Sequence, residues 1–218
     1  MCVAIYLIME ILSKLFGHPA KVKLMRLFLF NPETFYSAKN IAARSKLSST
    51  EVKKEVNALM TLGMVRSREI VREESMKAKN KKATTVKVKK VLAFGLNPKF
   101  PYLAALKNLL ITASLRADES LTKKFAKSGK LKLLLASGVF LHEWDTRVDL
   151  LIVGDELRMD NLEKVISVIE AEIGKELSYS AFDTEDFEYR LGVHDRLIRD
   201  ILDSPHTILV DKLGLSPR

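Results

Sequence analysis

Two groups of residues in this 218-residue sequence have types and spacing that could do chemistry. The first is cationic. Arg44 and Lys46 precede a helical pattern that carries Ser48, Ser49, Thr50, Lys53, Lys54 and Asn57, and Lys77, Lys79, Lys81 and Lys82 crowd a later polar stretch. Cationic side chains in this number, interleaved with hydroxyl and amide groups, suit a polyanionic partner. The second group is Gly138, Val139, Arg147 and Asp149. An apolar run enters a small-residue turn at Gly138, and a carboxylate follows at Asp149 with Arg147 two positions before it. Glu143 and Asp145 lie nearby, but four residues separate Asp145 from Asp149 and Arg147 stands between them on the same face. A salt-bridged loop around Arg147 is therefore expected.

The charge is unevenly placed along the chain. The formal net charge is +9, yet residues 1–100 hold 20 Lys and Arg against 7 Asp and Glu, and residues 101–218 hold 16 against 20. A sign change of this size favours two units with different partners. The junction falls at Gly95-Leu96-Asn97-Pro98-Lys99-Phe100-Pro101, where a glycine and two prolines punctuate the chain. Apolar residues at 47% and charged residues at 29% exclude wholesale disorder. The lone cysteine, Cys2, excludes a disulfide framework and a multi-cysteine zinc site, and His18, His142, His194 and His206 show no ligand spacing. No metal and no cofactor is expected. The apolar run Met1–Met9 stops at Glu10, short of a membrane span, and lacks the flanks of a signal peptide. A cytoplasmic protein without a membrane partner is expected, with Met9, where the amphipathic pattern begins, as a second candidate start.

The elements that must position the first group are legible in the spacing. Pro19 suits the first turn of a helix whose apolar face is Val22, Leu24, Met25, Leu27 and Phe28, ending at Asn31-Pro32. Ser37 can cap a short second helix with Ala38, Ile41 and Ala42 inward, after a short strand that carries Phe35 and Tyr36 into the core. Ser45 to Ser48 make a tight turn. Ser48 and Glu51 have the spacing of a capping box, and Gly63 is placed to end the third helix. Val52, Val56, Leu59 and Met60 face inward, which leaves Ser49, Thr50, Lys53, Lys54 and Asn57 outside. Two extended segments, Met64–Arg72 and Val86–Phe94, flank a polar loop, Glu73–Thr85, that holds the four clustered lysines.

Short helix, tight turn, capped helix and basic hairpin together resemble the winged helix-turn-helix of bacterial and archaeal transcriptional regulators, over residues 17–95. The resemblance implies that helix three lies in the major groove, with Ser49, Thr50, Lys53 and Asn57 near base edges. It places Arg44, Lys46 and Lys54 beside phosphates, counts Ser48 among the DNA-binding residues, and sends the wing lysines to the flanking backbone or minor groove. Helix three holds no arginine to read guanine, so specificity is expected to be modest or to come from DNA shape.

In the second half a helix is expected over Tyr102–Ser114 and another near Leu121–Lys127. Then come a strand from Lys130, the turn at Gly138, a strand Arg147–Val153, a helix Asn161–Ile173 and a strand Leu177–Phe182. This order resembles the minimal nucleotidyltransferase fold, in which a Gly-Ser turn holds nucleotide phosphates and an Asp-x-Asp pair plus a third carboxylate holds magnesium. Gly138 matches the glycine and Asp149 the second carboxylate. Val139 replaces the serine, Arg147 replaces the first carboxylate, and the third strand offers no acid. Two-metal phosphoryl transfer needs several carboxylates, and a guanidinium does not deprotonate to replace one. The resemblance thus implies a retained fold with lost catalysis, while Lys132 and Arg147 leave open an anionic or nucleotide ligand held without turnover.

The expected fold class is α+β. A winged helix-turn-helix over 1–95 precedes a linker and connecting helix over 96–120 and a small mixed α/β nucleotidyltransferase-like domain over 121–218. The expected function is transcription regulation by a homodimer on double-stranded DNA, with the second half serving dimerisation or signal input. The alternatives are a nucleotidyltransferase targeted by its basic half and a protein-interaction adaptor.

Overall fold

The computed structural model describes residues 11–77, 84–112 and 119–215. The architecture is α+β with two sheets. Residues 11–15 are helical, and α1 follows at Pro19–Phe30. Pro19 occupies its first turn, and His18 Nδ1 accepts the Ala20 N–H at 3.1 Å. Ala20, Val22, Leu24, Met25, Leu27, Phe28 and Leu29 are all buried. A helix apolar around most of its circumference must be covered on several sides. It packs against α2 (Ala38–Ser45), α3 (Ser49–Thr61), a π-helical turn (Asn108–Thr112) and α6 (Met159–Ile173).

The expected caps are present. Ser37 caps α2, the Ser48–Glu51 capping box opens α3, and Gly63 takes φ +77 just beyond its end. Ile41 is buried and Ala42 half-buried, but Ala38, expected to face inward, is exposed. The first sheet has the order β1-β3-β2, all antiparallel, from β1 (Tyr36–Ser37), β2 (Val65–Lys77) and β3 (Thr84–Leu96). The strands outrun the expected Met64–Arg72 and Val86–Phe94: pairing continues to Lys77 opposite Thr84, so most of the expected loop Glu73–Thr85 is ladder. Antiparallel pairing satisfies backbone groups whatever the side chains, which is why a polar stretch can extend a hairpin. Each strand has 13 residues, roughly 40 Å at about 3.3 Å per residue. β1 spans only Phe94 and Ala93, so the rest of the ribbon is two-stranded.

The expected helix from Tyr102 starts as α4 (Leu103–Lys107) and passes into the π-helical turn. After α5 (Glu119–Phe125) comes a second sheet of order β6-β5-β4-β7. Its strands are β4 (Lys130–Ala136), β5 (Leu150–Asp155), β6 (Tyr179–Phe182) and β7 (Thr207–Asp211). β5 runs antiparallel to β4 and parallel to β6, and β7 adds an antiparallel edge beside β4 that the sequence reading lacked. Two further helices, α7 (Thr184–Gly192) and α8 (Arg196–Asp203), cover one face. Alternation sends Leu134, Ala136, Leu150 and Ile152 toward Leu162, Ile166 and Ile169 of α6, and Leu133, Leu135, Leu151 and Val153 toward Phe187, Ile198 and Ile201. Burial on both faces explains why β4 and β5 read as unbroken apolar runs.

One apolar core joins the two halves: Val22, Phe28, Val56 and Leu59 belong to the same cluster as Leu134, Ile152 and Ile166. Polar contacts tighten the seam. Buried Arg26 donates from Nε to the Leu110 carbonyl at 2.9 Å and from Nη1 to the Glu172 carbonyl at 3.1 Å. No helix among the described residues is long and apolar enough to cross a membrane.

Candidate nucleic-acid interface

The outward face of α3 is polar and uncovered. Ser49, Thr50, Lys53, Lys54 and Asn57 are exposed, while Val52, Val56 and Leu59 are buried and Met60 is half-buried. Glu55 is buried as well, with Lys21 Nζ 3.8 Å from its Oε2. The helix is fixed at its start by the reciprocal cap. Glu51 N–H donates to Ser48 Oγ at 3.2 Å, and Glu51 Oε2 accepts the Ser48 N–H at 2.9 Å and its hydroxyl at 2.6 Å. These two Ser48 donors hold the Glu51 carboxyl below its ordinary range. Ser48 is exposed but its hydroxyl is spent on the cap.

Lys46 is exposed and ends α2 in the left-handed region at φ +51. Arg44 is exposed too, yet engaged: its Nη2 lies 2.7 Å from Glu176 Oε1 and its guanidinium 5.3 Å from the Tyr36 ring centroid. Lys77 ends β2, and Lys79, Lys81 and Lys82 lie outside the described residues. Arg66 and Arg68, two apart on β2 and exposed, flank the Phe35 ring at 5.4 and 3.8 Å. Phe35 is half-buried on Gly95, where an added Cβ would lie 3.0 Å from the ring. Their alternation on an extended run is the sequence signal for this pair, which lies outside the residues expected to bind DNA.

The second candidate group is a clamp around one carboxylate. Asp149 is buried; Oδ1 accepts the Val139 N–H at 2.8 Å and Oδ2 accepts the Ser178 N–H at 2.9 Å. Lys175 Nζ stands 3.9 Å from Oδ1. Gly138 takes φ +57, and a Cβ there would clash with Asp149 Oδ1. Only glycine lets the turn approach the carboxylate this closely. Both oxygens of Asp149 are thus bound to backbone amides that tie the Gly138 turn to the start of β6.

Arg147 departs from its expected setting. It precedes β5 instead of lying on it, and it pairs with Asp200 of α8 at 3.1 Å, not with Glu143 or Asp145. Lys132 pairs with Asp155 at 3.5 Å, so each of the two cations considered for an anionic ligand has its own acid. Asp145, Thr146, Arg147, Asp200, Asp203 and Ser204 line an open hollow. Trp144 is 57% exposed, edge-on to Phe30 at 6.1 Å, with Lys175 Nζ 5.4 Å from its ring centroid. Among the described residues no group of three or more His, Cys, Asp or Glu could hold a metal ion. Comparison of the chain with protein-family models, with curated proteins and with solved structures finds no match.

Proposed function

We propose that the chain is a DNA-binding transcriptional regulator that sets α3 into the major groove and lays its basic ribbon along the flanking backbone. The observation that carries this reading is the two-sidedness of α3. Ser49, Thr50, Lys53, Lys54 and Asn57 are all exposed on a helix whose opposite side is buried, and the acidic second half does not cover them. An α-helix fits the major groove, and polar side chains near its N-terminus reach base edges there. The elements around α3 support the same reading: a capped helix before it, a tight turn, and a hairpin after it whose β3 pairs with a short strand preceding α2.

The second half serves this regulator as a non-catalytic nucleotidyltransferase-like unit for dimerisation or signal input. Support comes from the succession β4, glycine turn, β5, α6 and β6, and from Asp149, whose two oxygens are taken up by backbone N–H groups. Nucleotide transfer to protein or RNA would require that carboxylate for metal ions.

A mobility shift on random-sequence duplex DNA over rising salt tests the proposal. Binding that weakens steeply with salt supports it, and salt-insensitive or absent binding overturns it. Incubation with labelled nucleoside triphosphates and magnesium tests the second half, where label transfer abolished by Asp149→Asn would overturn the non-catalytic reading.

A further inference from the structure

We propose that Glu176 is an autoinhibitory contact on Arg44, a carboxylate from the second half that competes with DNA phosphate for a guanidinium at the edge of the reading head. The inference rests on the DNA-binding reading above. Arg44 lies in the last turn of α2, and Arg44 and Lys46 flank the entry to the turn that delivers Ser49 and Thr50 at the start of α3. A phosphate approaching that start meets Arg44 already occupied, with Glu176 Oε1 2.7 Å from its Nη2. Carboxylate and phosphate are the two anions a guanidinium binds in the same forked geometry, so the two exclude each other. The buried Tyr36 ring beneath the guanidinium keeps the arginine in this place whichever anion it holds.

The carboxylate is presented by an anchored segment. Before Glu176, the Gly174 carbonyl accepts Asn31 Nδ2 at 3.0 Å and Gly174 packs on the Leu27 backbone. After it, Leu177 N–H donates to Glu170 Oε1 at 2.8 Å and Ser178 N–H to Asp149 Oδ2 at 2.9 Å. Held on both flanks, Glu176 projects its side chain 74% exposed against Arg44. An exposed pair of this kind is weak enough for a polyanion to displace, and strong enough to be felt as a tax on binding.

The test is a double-mutant cycle on a random-sequence DNA duplex, with affinity measured over a salt series for the full chain, Glu176→Gln, Arg44→Gln and the double variant. Glu176→Gln is expected to tighten binding about three- to five-fold, the scale of an exposed ion pair. That tightening should vanish in the Arg44→Gln background. If the unaltered chain binds with salt dependence but Glu176→Gln leaves affinity unchanged, the contact is not inhibitory and the DNA-binding reading stands. Equal tightening with and without Arg44 would also overturn the proposal, since it would reveal only a general field effect. Failure of both the unaltered chain and Glu176→Gln to bind duplex overturns the DNA-binding reading and this inference with it.

Discussion

Gly174 sits against Leu27 so closely that a Cβ on the glycine would fall 2.5 Å from the Leu27 backbone nitrogen. The glycine ends α6 at φ +87, a conformation L side chains adopt at a cost, and it lies where α6 crosses the central helix α1. Backbone meets backbone at this seam, so the two halves are registered by the absence of a side chain.

Gly174→Ala should therefore destabilise the protein by about 2–4 kcal/mol, combining left-handed strain with a clash that no rotamer relieves. Gly192→Ala is the control, because nothing lies within 4 Å of its Cβ position. It should be neutral or stabilising by up to about 1 kcal/mol, since alanine is the better helix former. Urea unfolding of both variants checks the pair.

The Asp149 clamp predicts a coupling. Asp149→Ala strands the Val139 and Ser178 amides and should cost about 2–4 kcal/mol. Gly138→Ala alone should cost as much through its clash with Asp149 Oδ1. In the Asp149→Ala background that second cost should shrink by at least about 1 kcal/mol, because the atom it strikes is gone. Additive losses in chemical denaturation would contradict the clamp.

Charge reversal on α3 should act through phosphates. Lys53→Glu with Lys54→Glu is expected to weaken duplex binding about 10- to 100-fold and, through Lys54, to flatten the salt slope by about 1. Asn57→Ala should instead alter preference among sequences with little change in slope, as expected of a group near base edges. Selection from a random duplex pool separates the two behaviours.

Buried Arg26 gives a pH signature. Burial pushes its guanidinium down from its ordinary value to about 10, with Glu172 opposing the shift. A base whose folded value is depressed binds fewer protons in the folded than in the unfolded state from about pH 10 up to its ordinary value, so its contribution to stability rises with pH there. The stability difference between the unaltered protein and Arg26→Met should grow by about 1 kcal/mol from pH 10 to 11. A flat difference would show that the folded protein keeps this guanidinium protonated through pH 11.

What could be read from the chain was local. Pro19, Ser37, the Ser48–Glu51 pair and Gly63 each act within a turn of their own position, so helix starts and stops around α3 agreed with the structure to within a residue or two. The polar face of α3 followed from its period and is exposed as expected. Where the outcome depended on distant partners the reading went astray. The hairpin outran its apolar residues because ladder pairing stabilises polar strands, and β7 was unrecognised because Thr207–Asp211 becomes a strand by pairing with β4.

The ion pairs divide the same way. Types and spacing told that Arg147 opposes a metal-ligand role, since a guanidinium is a cation at neutral pH and repels a metal ion. That its partner is Asp200, that Glu176 meets Arg44, and that Gly174 must be bare against Leu27 are facts of juxtaposition between segments far apart in the chain. Short-range steric and hydrogen-bonding preferences act along the sequence and can be read there, whereas contacts across the seam exist only once the shared core has folded and brought those segments together.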